Sequence, residues 1–235
     1  MSAHRPALIV FCREPIPNRT KTRLIGKISA NAAAALADAF VRDALSKASA
    51  LRPGRLVIAA SALDGAASSK YFNRLARQFG ADLIDQGEGS LGKRMARALE
   101  QSLSAGSTGA LLIGTDTPSL PARLLARSLD LLREHRVVIA PSLDGGYYAV
   151  GVRGAMPRIF TGIRWGSGSV LAETILLLQD ARIEYSLGPA WYDVDRWSDV
   201  LLLAAHLARN SQSKISPCPQ TASVLKRLGV LRDDR

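Results

Sequence analysis

The sequence predicts a three-layer α/β fold, in which helices cover both faces of a mostly parallel sheet. Short apolar runs that fit buried strands alternate with longer segments whose apolar residues recur every three or four positions. This alternation of strand and helix occurs three times in succession, which favours right-handed crossovers and a parallel sheet. The length of 235 residues suits one large domain of this class better than two small ones.

The elements follow from these patterns in chain order. The apolar runs that predict strands cover residues 7–11, 56–60, 82–85, 110–113, 137–140, 147–152 and 183–187. The segments with helical spacing cover residues 29–51, 66–78, 90–103, 120–132, 169–179 and 197–208. In the first helix the apolar positions run from Ala33 to Ala48, and Asp38 and Lys47 fall on the other face. Ser90 is suited to cap the third helix. Residues 210–219 are rich in Ser and Pro, so we predict one domain over residues 1–209, and a linker with a short basic helix over 210–235.

Composition and charge exclude several classes of protein. An apolar fraction of 47% with 22% charged residues is typical of a globular chain, and no run approaches the roughly 20 apolar residues of a membrane span. The first six residues lack the apolar core of a signal peptide, so a soluble cytoplasmic protein is expected. Cys12 and Cys218 have no metal-binding spacing, and Cys12 is expected to be a small buried strand residue.

The formal net charge of +11 predicts a polyanionic partner, such as a nucleotide, nucleic acid or phospholipid head groups. Only 6% of the residues are aromatic and no nucleic-acid-binding signature occurs, which argues against nucleic acid. The sequence has no G-x-S-x-G motif, and its three histidines lack zinc-ligand spacing. A hydrolase triad and a zinc site are therefore not expected.

Asp116 stands at the centre of the predicted site. It belongs to a Gly-x-Asp-x-Pro motif directly after the apolar run 110–113, and ligands of open α/β sheets lie beyond the carboxyl ends of the strands. A second interpretation is that Asp116 only caps the following helix, which Pro118 would open. Both interpretations stay open for this residue taken alone.

A basic segment follows the first predicted strand. Between Arg13 and Lys27 there are five basic residues and one acidic residue, and two prolines keep the start of the segment from being helical. A loop of this kind at the carboxyl end of a strand is suited to phosphate binding, although a solvated basic loop has the same composition.

The segment Gly87–Arg94 matches two phosphate-binding patterns incompletely. It fits G-x-G-x-x-G, but it follows the third strand and lacks an acidic residue about 20 positions further on. It also fits the P-loop pattern up to Arg94, where a hydroxyl is needed to bind Mg²⁺. The remaining interpretation is a turn whose backbone amides approach a ligand, with Arg94 facing a phosphate or base.

Four carboxylates are predicted to lie along one sheet edge: Asp116, Asp144, Asp193 and Asp195. Oxygen ligands of this kind suit Mg²⁺ or Mn²⁺, which bind through a few carboxylates together with substrate phosphates. Lys21 and Arg23 would lie opposite them. A metal and cations around a phosphate leaving group are what phosphoryl-type transfer requires.

Five segments together resemble a known family. They are Arg-x-Pro-x-Pro-x-x-x-Lys-Thr-Arg-Leu (13–24), Gln-Gly-x-Gly-x-Leu-Gly-x-Arg-Met (86–95), Gly-Thr-Asp-Thr-Pro (114–118), Asp-Gly-Gly-Tyr-Tyr (144–148) and Asp-Val-Asp (193–195). In order and spacing they resemble the bacterial family of predicted GT-A-type glycosyltransferases in the nucleotide-diphospho-sugar transferase superfamily. That superfamily also contains the phospholactate guanylyltransferases.

The resemblance implies a fold with a Rossmann-like N-terminal half and a role for each matched residue. The nucleotide-binding residues would be Arg13, Lys21, Arg23, Gln86, Gly92 and Arg94. Asp116, Asp195 and Asp193 would hold Mg²⁺ or Mn²⁺. The acceptor side would comprise Gly145, Gly146, Tyr147 and Trp165. The catalytic residues would be Asp116, Asp144 and Lys21.

Several positions depart from the family's pattern. Arg13 stands where Lys is common, and Asn18 stands where Gly is common. After Asp195 the run Arg196–Asp199 replaces the usual Thr-Pro-Glu-Asp, so the loss of Thr-Pro puts the geometry around Asp195 in question.

The predicted function is that of a metal-dependent glycosyltransferase with a nucleotide-diphospho-sugar donor and a small-molecule acceptor. The alternative is a nucleotidyltransferase, similar to the guanylyltransferases, that uses a nucleoside triphosphate to activate a small phosphorylated metabolite. A non-enzymatic alternative is a basic nucleic-acid-binding protein. A homodimer is compatible with the sequence.

Overall fold

The computed structural model describes residues 5–209 and 216–231, and its centre is one seven-stranded sheet. The strands are β1 (Ala7–Arg13), β2 (Arg55–Ser61), β3 (Asp82–Asp85), β4 (Gly109–Ile113), β5 (Val137–Pro141), β6 (Tyr147–Arg153) and β7 (Tyr185–Leu187). The helices are α1 (Ala30–Ala50), α2 (Lys70–Phe79), α3 (Leu91–Ser104), α4 (Ala122–Glu134), α5 (Val170–Asp180), α6 (Trp197–Arg209) and α7 (Pro219–Arg227). A single 3₁₀ turn, Thr22–Leu24, interrupts the basic segment after β1.

The sheet confirms the predicted fold class. The strand order is β3-β2-β1-β4-β6-β5-β7, and only β6 runs antiparallel to its neighbours β4 and β5. The chain moves from β1 outward through β2 and β3, and then returns to place β4 on the other side of β1. The carboxyl ends of β1 and β4 therefore diverge at a topological switch point, where a crevice forms in sheets of this type.

Helices cover both faces of the sheet, as predicted. One face packs against α1, α2 and α4, with Phe72 and Leu132 fully buried, and the other packs against α3 and α5 through Leu99 and Leu178. The outer side of α1 is also covered, because Phe40 packs with residues of α6 and α7. This second contact explains why α1 is buried around most of its circumference.

Two predicted helices begin later than the periodicity suggests. The helix predicted from residue 120 begins at Ala122, because Pro121 disfavours helical geometry at Leu120. The helix predicted from residue 66 begins at Lys70, after the hydroxyl of Ser69 accepts the backbone N–H of Phe72 as an N-cap.

Cys12 is a buried strand residue with a free thiol, as predicted, and Cys218 is also buried and free. No helix among the described residues is long and apolar enough to cross a bilayer. The predicted linker at 210–219 lies largely outside the described residues, since residues 210–215 belong to the part that the structure does not describe.

Candidate functional site

A cavity of about 1000 Å³ opens at the switch point between β1 and β4. The antiparallel strand β6 starts at the same edge, so the turn between β5 and β6 forms a further wall. Most of the predicted site residues line this cavity: Arg13, Lys21, Arg23, Gln86, Arg94, Asp116, Asp144, Gly146, Tyr147, Trp165, Asp193 and Asp195. Gly92 and Gly145 do not line it. The structure thus brings together segments that are up to 182 residues apart, from Arg13 to Asp195.

Lys21 occupies the centre of the carboxylate edge. Its ammonium lies 2.6 Å from Asp116 Oδ1 and 2.8 Å from Asp195 Oδ1, and it donates to the carbonyl of Val194 at 2.7 Å. The Lys21 side chain is only 8% exposed, and its ammonium also faces the ring of Phe40. The sequence placed Lys21 opposite these carboxylates, and the structure places it in direct contact with them.

Charge explains the protonation states in this cluster. Burial alone would lower the pKa of Lys21, but the carboxylates of Asp116 and Asp195 outweigh burial and raise it. Burial would favour a neutral Asp195, but Lys21 and Arg23 hold the pKa of Asp195 below its ordinary value. Lys21 and Asp195 are therefore charged together at neutral pH.

The backbone fixes Asp195 although Thr-Pro is missing. The Val194 N–H donates to the Asp116 carbonyl at 2.8 Å, which joins the two carboxylate-bearing segments. The carboxylate of Asp199 accepts the backbone N–H groups of Asp195 and Arg196 at 3.0 and 2.7 Å. Asp199 thus caps the N-terminal end of α6. This cap fixes the backbone around Asp195 although the usual Thr-Pro is absent.

Asp144 and Asp193 form a second group, separate from Lys21. Asp193 accepts the hydroxyl of Ser142 at 3.0 Å, and Asp144 accepts the N–H of Gly146 at 2.9 Å within its own turn. Burial, followed by the nearby charge of Asp144, raises the pKa of Asp193. The four carboxylates therefore share one cavity but divide into a cation-bound pair and a pair with no ion-pair partner among the described residues.

Gln86 and Arg94 form the wall beside β1. Gln86 is buried, and its amide donates to the carbonyls of Cys12 and Ala59 at 2.9 and 2.8 Å. Its side-chain oxygen accepts from the guanidinium of Arg94, which lies over the ring of Phe11. Both amide hydrogens of Gln86 are thus used within the protein. Gln86 therefore affects the cavity by orienting Arg94.

Arg94 keeps donor capacity for a ligand. Its buried Nε has no hydrogen-bond partner among the described residues, and burial together with the charge of Arg13 lowers its pKa. An anion at this wall would offset the repulsion between the two guanidinium groups.

The residues predicted for the acceptor side lie in closely packed surroundings. Tyr147 and Trp165 meet edge to face, with ring centroids 6.4 Å apart. Gly92 lies behind Trp165, because a Cβ there would be 2.7 Å from the indole ring. Gly145, with φ of +90°, packs on the backbone of Gly168, where a Cβ would come 2.1 Å from a carbonyl oxygen. Both glycines thus allow close packing behind the cavity wall.

Glu173 secures the loop that carries Trp165. Its carboxylate accepts the backbone N–H of Arg164 at 2.8 Å, the Nε of Arg164 at 2.7 Å and the hydroxyl of Ser169 at 2.8 Å. No sequence pattern marks this residue, because one Glu in an amphipathic helix carries no signal of a loop contact.

The carboxylates of the cavity are the candidate ligands for a divalent metal. No group of three or more His, Cys, Asp or Glu side chains in residues 5–209 and 216–231 is arranged to hold one. Asp116 and Asp195 each place one oxygen on Lys21, and these side chains are 48% and 34% exposed. The second oxygen of Asp195 lies 3.4 Å from the guanidinium of Arg23, whereas that of Asp116 has no partner among the described residues. Two partly exposed carboxylates of this kind fit Mg²⁺ or Mn²⁺ that arrives with substrate phosphates, rather than a fully protein-bound ion.

The fold and the cavity define a transferase-type enzyme with the architecture of the nucleotide-diphospho-sugar transferases. The chain belongs to the family described as an uncharacterized protein conserved in bacteria (DUF2064), whose profile matches residues 44–167. This segment contains Asp116 and Asp144, whereas Lys21 and Asp195 lie outside it.

Solved structures show the same architecture. A candidate nucleotide-diphospho-sugar transferase from Desulfovibrio desulfuricans G20 is 28% identical, with a TM-score of 0.83 and 96% of each chain covered. A cytidylyltransferase from Leptospira borgpetersenii serovar Hardjo-bovis is 10% identical, with a TM-score of 0.56 and 99% of each chain covered. A CMP:2-keto-3-deoxy-manno-octonic acid synthetase in complex with CTP is 12% identical, with a TM-score of 0.54 and coverage of 87% of this chain and 99% of that one. The last two share the fold alone. A comparison with curated proteins finds no match.

Proposed function

We propose that the protein is a metal-dependent glycosyltransferase that takes its sugar from a nucleotide-diphospho-sugar donor. The observation that carries the proposal is the pair Asp116 and Asp195, which lie on one ammonium in a cavity that arginines also line. Paired carboxylates beside cations are suited to a diphosphate with its divalent ion. The likeness to the Desulfovibrio protein supports a nucleotide sugar as the donor.

Different residues of the cavity would bind the donor and the acceptor. Arg13, Arg23 and Arg94 line the cavity and would bind the donor phosphates. Asp116 and Asp195 would hold Mg²⁺ or Mn²⁺, which supplies Lewis-acid stabilisation of the diphosphate leaving group. Tyr147 and Trp165 present an aromatic wall to the acceptor.

Asp144 is the proposed general base. It lies in the cavity on the acceptor side, with no cation bound to it among the described residues. In the reaction an acceptor hydroxyl attacks the anomeric carbon, Asp144 takes the hydroxyl proton, and the nucleoside diphosphate leaves. Asp193 lies nearby, and burial, followed by the negative charge of Asp144, raises the pKa of Asp193.

Nucleotidyl transfer, of the guanylyltransferase kind, is the second candidate, and the arginines of the cavity favour it. Arg13, Arg19 and Arg23 line one wall, which suits the higher charge of a triphosphate. An oxygen of a phosphorylated acceptor would attack the α-phosphorus and pyrophosphate would leave. This reaction uses the same metal and cations but needs no base at a sugar carbon.

The two candidates are separated by a thermal-shift screen with UDP-sugars, GDP-sugars, CTP and GTP, each with and without Mn²⁺. Stabilisation by nucleotide sugars alone supports glycosyl transfer, and stabilisation by triphosphates alone supports nucleotidyl transfer. Asp116→Asn is expected to abolish the metal-dependent shift, whereas Asp130→Asn, at an exposed position of α4, is the matched control. An unchanged shift in Asp116→Asn would overturn both candidates.

A further inference from the structure

Lys21 uses every hydrogen of its ammonium within the protein. An ammonium has three donors, and those of Lys21 face Asp116 Oδ1, Asp195 Oδ1 and the carbonyl of Val194, all within 2.8 Å. No donor is left for a phosphate. The low exposure of the side chain, 8%, further separates the ammonium from the open cavity.

The proposed function requires the carboxylate oxygens of Asp116 and Asp195 to bind a divalent ion. A divalent ion on Asp116 and Asp195 would lie close to the Lys21 ammonium, since both cations would use oxygens of the same two carboxylates. Like charges at such distances repel strongly in a partly buried site. Lys21 in its present position and a metal on both carboxylates are therefore competing arrangements.

We propose that Lys21 is an exchange cation: it holds Asp116 and Asp195 together in the free protein, and it leaves them for the substrate phosphates when a divalent ion binds. The inference rests on the proposed function, because a metal-bound nucleotide supplies both the ion and the phosphates. Lys21 precedes the Thr22–Leu24 turn in the left-handed conformation, with φ of 47°. Its four-carbon stem lets the ammonium move into the cavity while the backbone keeps this turn.

The exchange makes a prediction about metal binding without nucleotide. Mn²⁺ alone must displace Lys21 from its oxygens, so removal of the ammonium is expected to tighten the binding of Mn²⁺. In Lys21→Met this effect should be on the order of tenfold, as for loss of a competing charge at a partly exposed site. The measurement is a titration of free Mn²⁺ by electron paramagnetic resonance with the full chain and no nucleotide.

The matched control is Lys27→Met. Lys27 belongs to the same basic segment, but it is exposed and does not line the cavity, so this variant removes an equal charge at a distance. Its Mn²⁺ affinity should stay within about twofold of that of the wild type, since distant exposed charges are screened. Equal Mn²⁺ affinity in Lys21→Met and the wild type would overturn the exchange.

A second measurement uses the wild-type chain and does not depend on how well Lys21→Met folds. An amine-acylating reagent is applied with and without Mn²⁺, and the modification of Lys21 is read by peptide mass spectrometry. Mn²⁺ should increase the labelling of Lys21, and added nucleotide should then reduce it. Labelling that does not respond to Mn²⁺ would contradict the exchange.

The outcomes separate this inference from the proposed function. If nucleotides bind with Mn²⁺ but Lys21→Met leaves Mn²⁺ affinity unchanged, the exchange fails and the proposed function stands. If Lys21→Met tightens Mn²⁺ binding but no nucleotide binds, the competition between Lys21 and the metal is supported and the proposed function fails.

Discussion

Gln86 shows how a residue from a ligand-binding motif can serve the site indirectly. Its side chain joins the carbonyls of Cys12 on β1 and Ala59 on β2, and it orients Arg94. The sequence motif predicts a contact with the nucleotide, and that contact stays a prediction. The observed bonds assign a positioning role, because the amide donors are already used.

Because Gln86 has this positioning role, Gln86→Leu is expected to lose both stability and nucleotide affinity. The substitution leaves two buried carbonyls and the Arg94 guanidinium without this partner, which should lower the free energy of unfolding by about 1–3 kcal/mol. Nucleotide binding should weaken at the same time, because Arg94 is no longer oriented. Urea unfolding and the nucleotide thermal shift measure the two effects, and Gln101→Leu, at an exposed position of α3, is the control. Lost binding with unchanged stability would instead indicate a direct contact.

The contact between Lys21 and Asp195 lay beyond sequence reasoning. The two residues are 174 positions apart, and their meeting depends on the compact turn at residues 16–24. That turn uses positive φ angles at Asn18 and Lys21, and although Asn adopts this conformation more readily than most residues, Lys21 carries no backbone signal for it. The motifs identified which residues share the cavity, whereas the pairing of their charges required the folded loop.

At the scale of elements, the strands were the most predictable part. An apolar run such as 110–113 can only be buried, and β4 occupies Gly109–Ile113. Helix starts were less predictable, because Pro121 and the cap at Ser69 decide them locally and interrupt an apolar periodicity that continues beyond them. The periodicity of α1 predicts its sheet-facing side but not its second contact, with α6 and α7.

The loop between β6 and α5 should loosen at low pH. Hydrogen bonds from the Arg164 backbone, Ser169 and the Arg164 guanidinium lower the pKa of Glu173. A carboxyl whose pKa is lowered on folding stabilises the protein fully above its unfolded pKa of about 4.3, and loses this effect as the pH falls through its lower folded pKa. The fluorescence of Trp165, obtained by subtracting the spectrum of Trp165→Phe, should therefore change below about pH 4.

Glu173→Gln tests the cause of this transition. The neutral amide does not titrate in this range and cannot accept all three bonds, so the variant should show the loosened signal at neutral pH and no change with acid. Acceptor affinity should fall with it, since Trp165 lies on the cavity wall. A transition that persists in Glu173→Gln would assign it to another carboxyl group.

A buried carboxylate adds to the apolar packing that holds helix α7 to the body of the protein. Asp43 on α1 is 1% exposed and accepts the backbone N–H groups of Gln220 and Thr221 and the Thr221 hydroxyl. These groups belong to the first turn of α7, where donors have no partner within the helix. Asp43 therefore acts as an N-cap supplied by another helix.

Removal of this cap should destabilise the whole domain. In Asp43→Ala the free energy of unfolding is expected to fall by about 2 kcal/mol, near the upper end for a lost cap, because the donors are buried. Asp130→Ala removes an exposed i,i+3 ion pair with Arg133 and should change stability by less than about 0.5 kcal/mol. Urea titration of both variants makes the comparison. Equal effects would show that the cap on α7 contributes little to the stability of the domain.

At the scale of the whole molecule, the charge of +11 and the acidic edge of the cavity predict different partners. The net charge favours any polyanion, and this attraction is screened by salt. The carboxylates at Asp116 and Asp195 favour only an anion that arrives with a divalent ion. The cytoplasmic location and the homodimer stay predictions, because neither charge nor fold decides them.

Salt and metal should therefore separate the nucleic-acid hypothesis from the enzyme. Binding of duplex DNA should weaken by orders of magnitude between about 0.05 and 0.2 M salt and ignore Mn²⁺, because it depends on the release of counterions. Nucleotide binding should require Mn²⁺ and persist over the same range, since its contacts lie inside the cavity. The double variant Arg74→Glu/Arg77→Glu changes two exposed positions of α2 outside the cavity, so it should weaken DNA binding and leave the Mn²⁺-dependent nucleotide shift intact. DNA binding that survives high salt and competes with nucleotide for the cavity would favour nucleic acid as the partner.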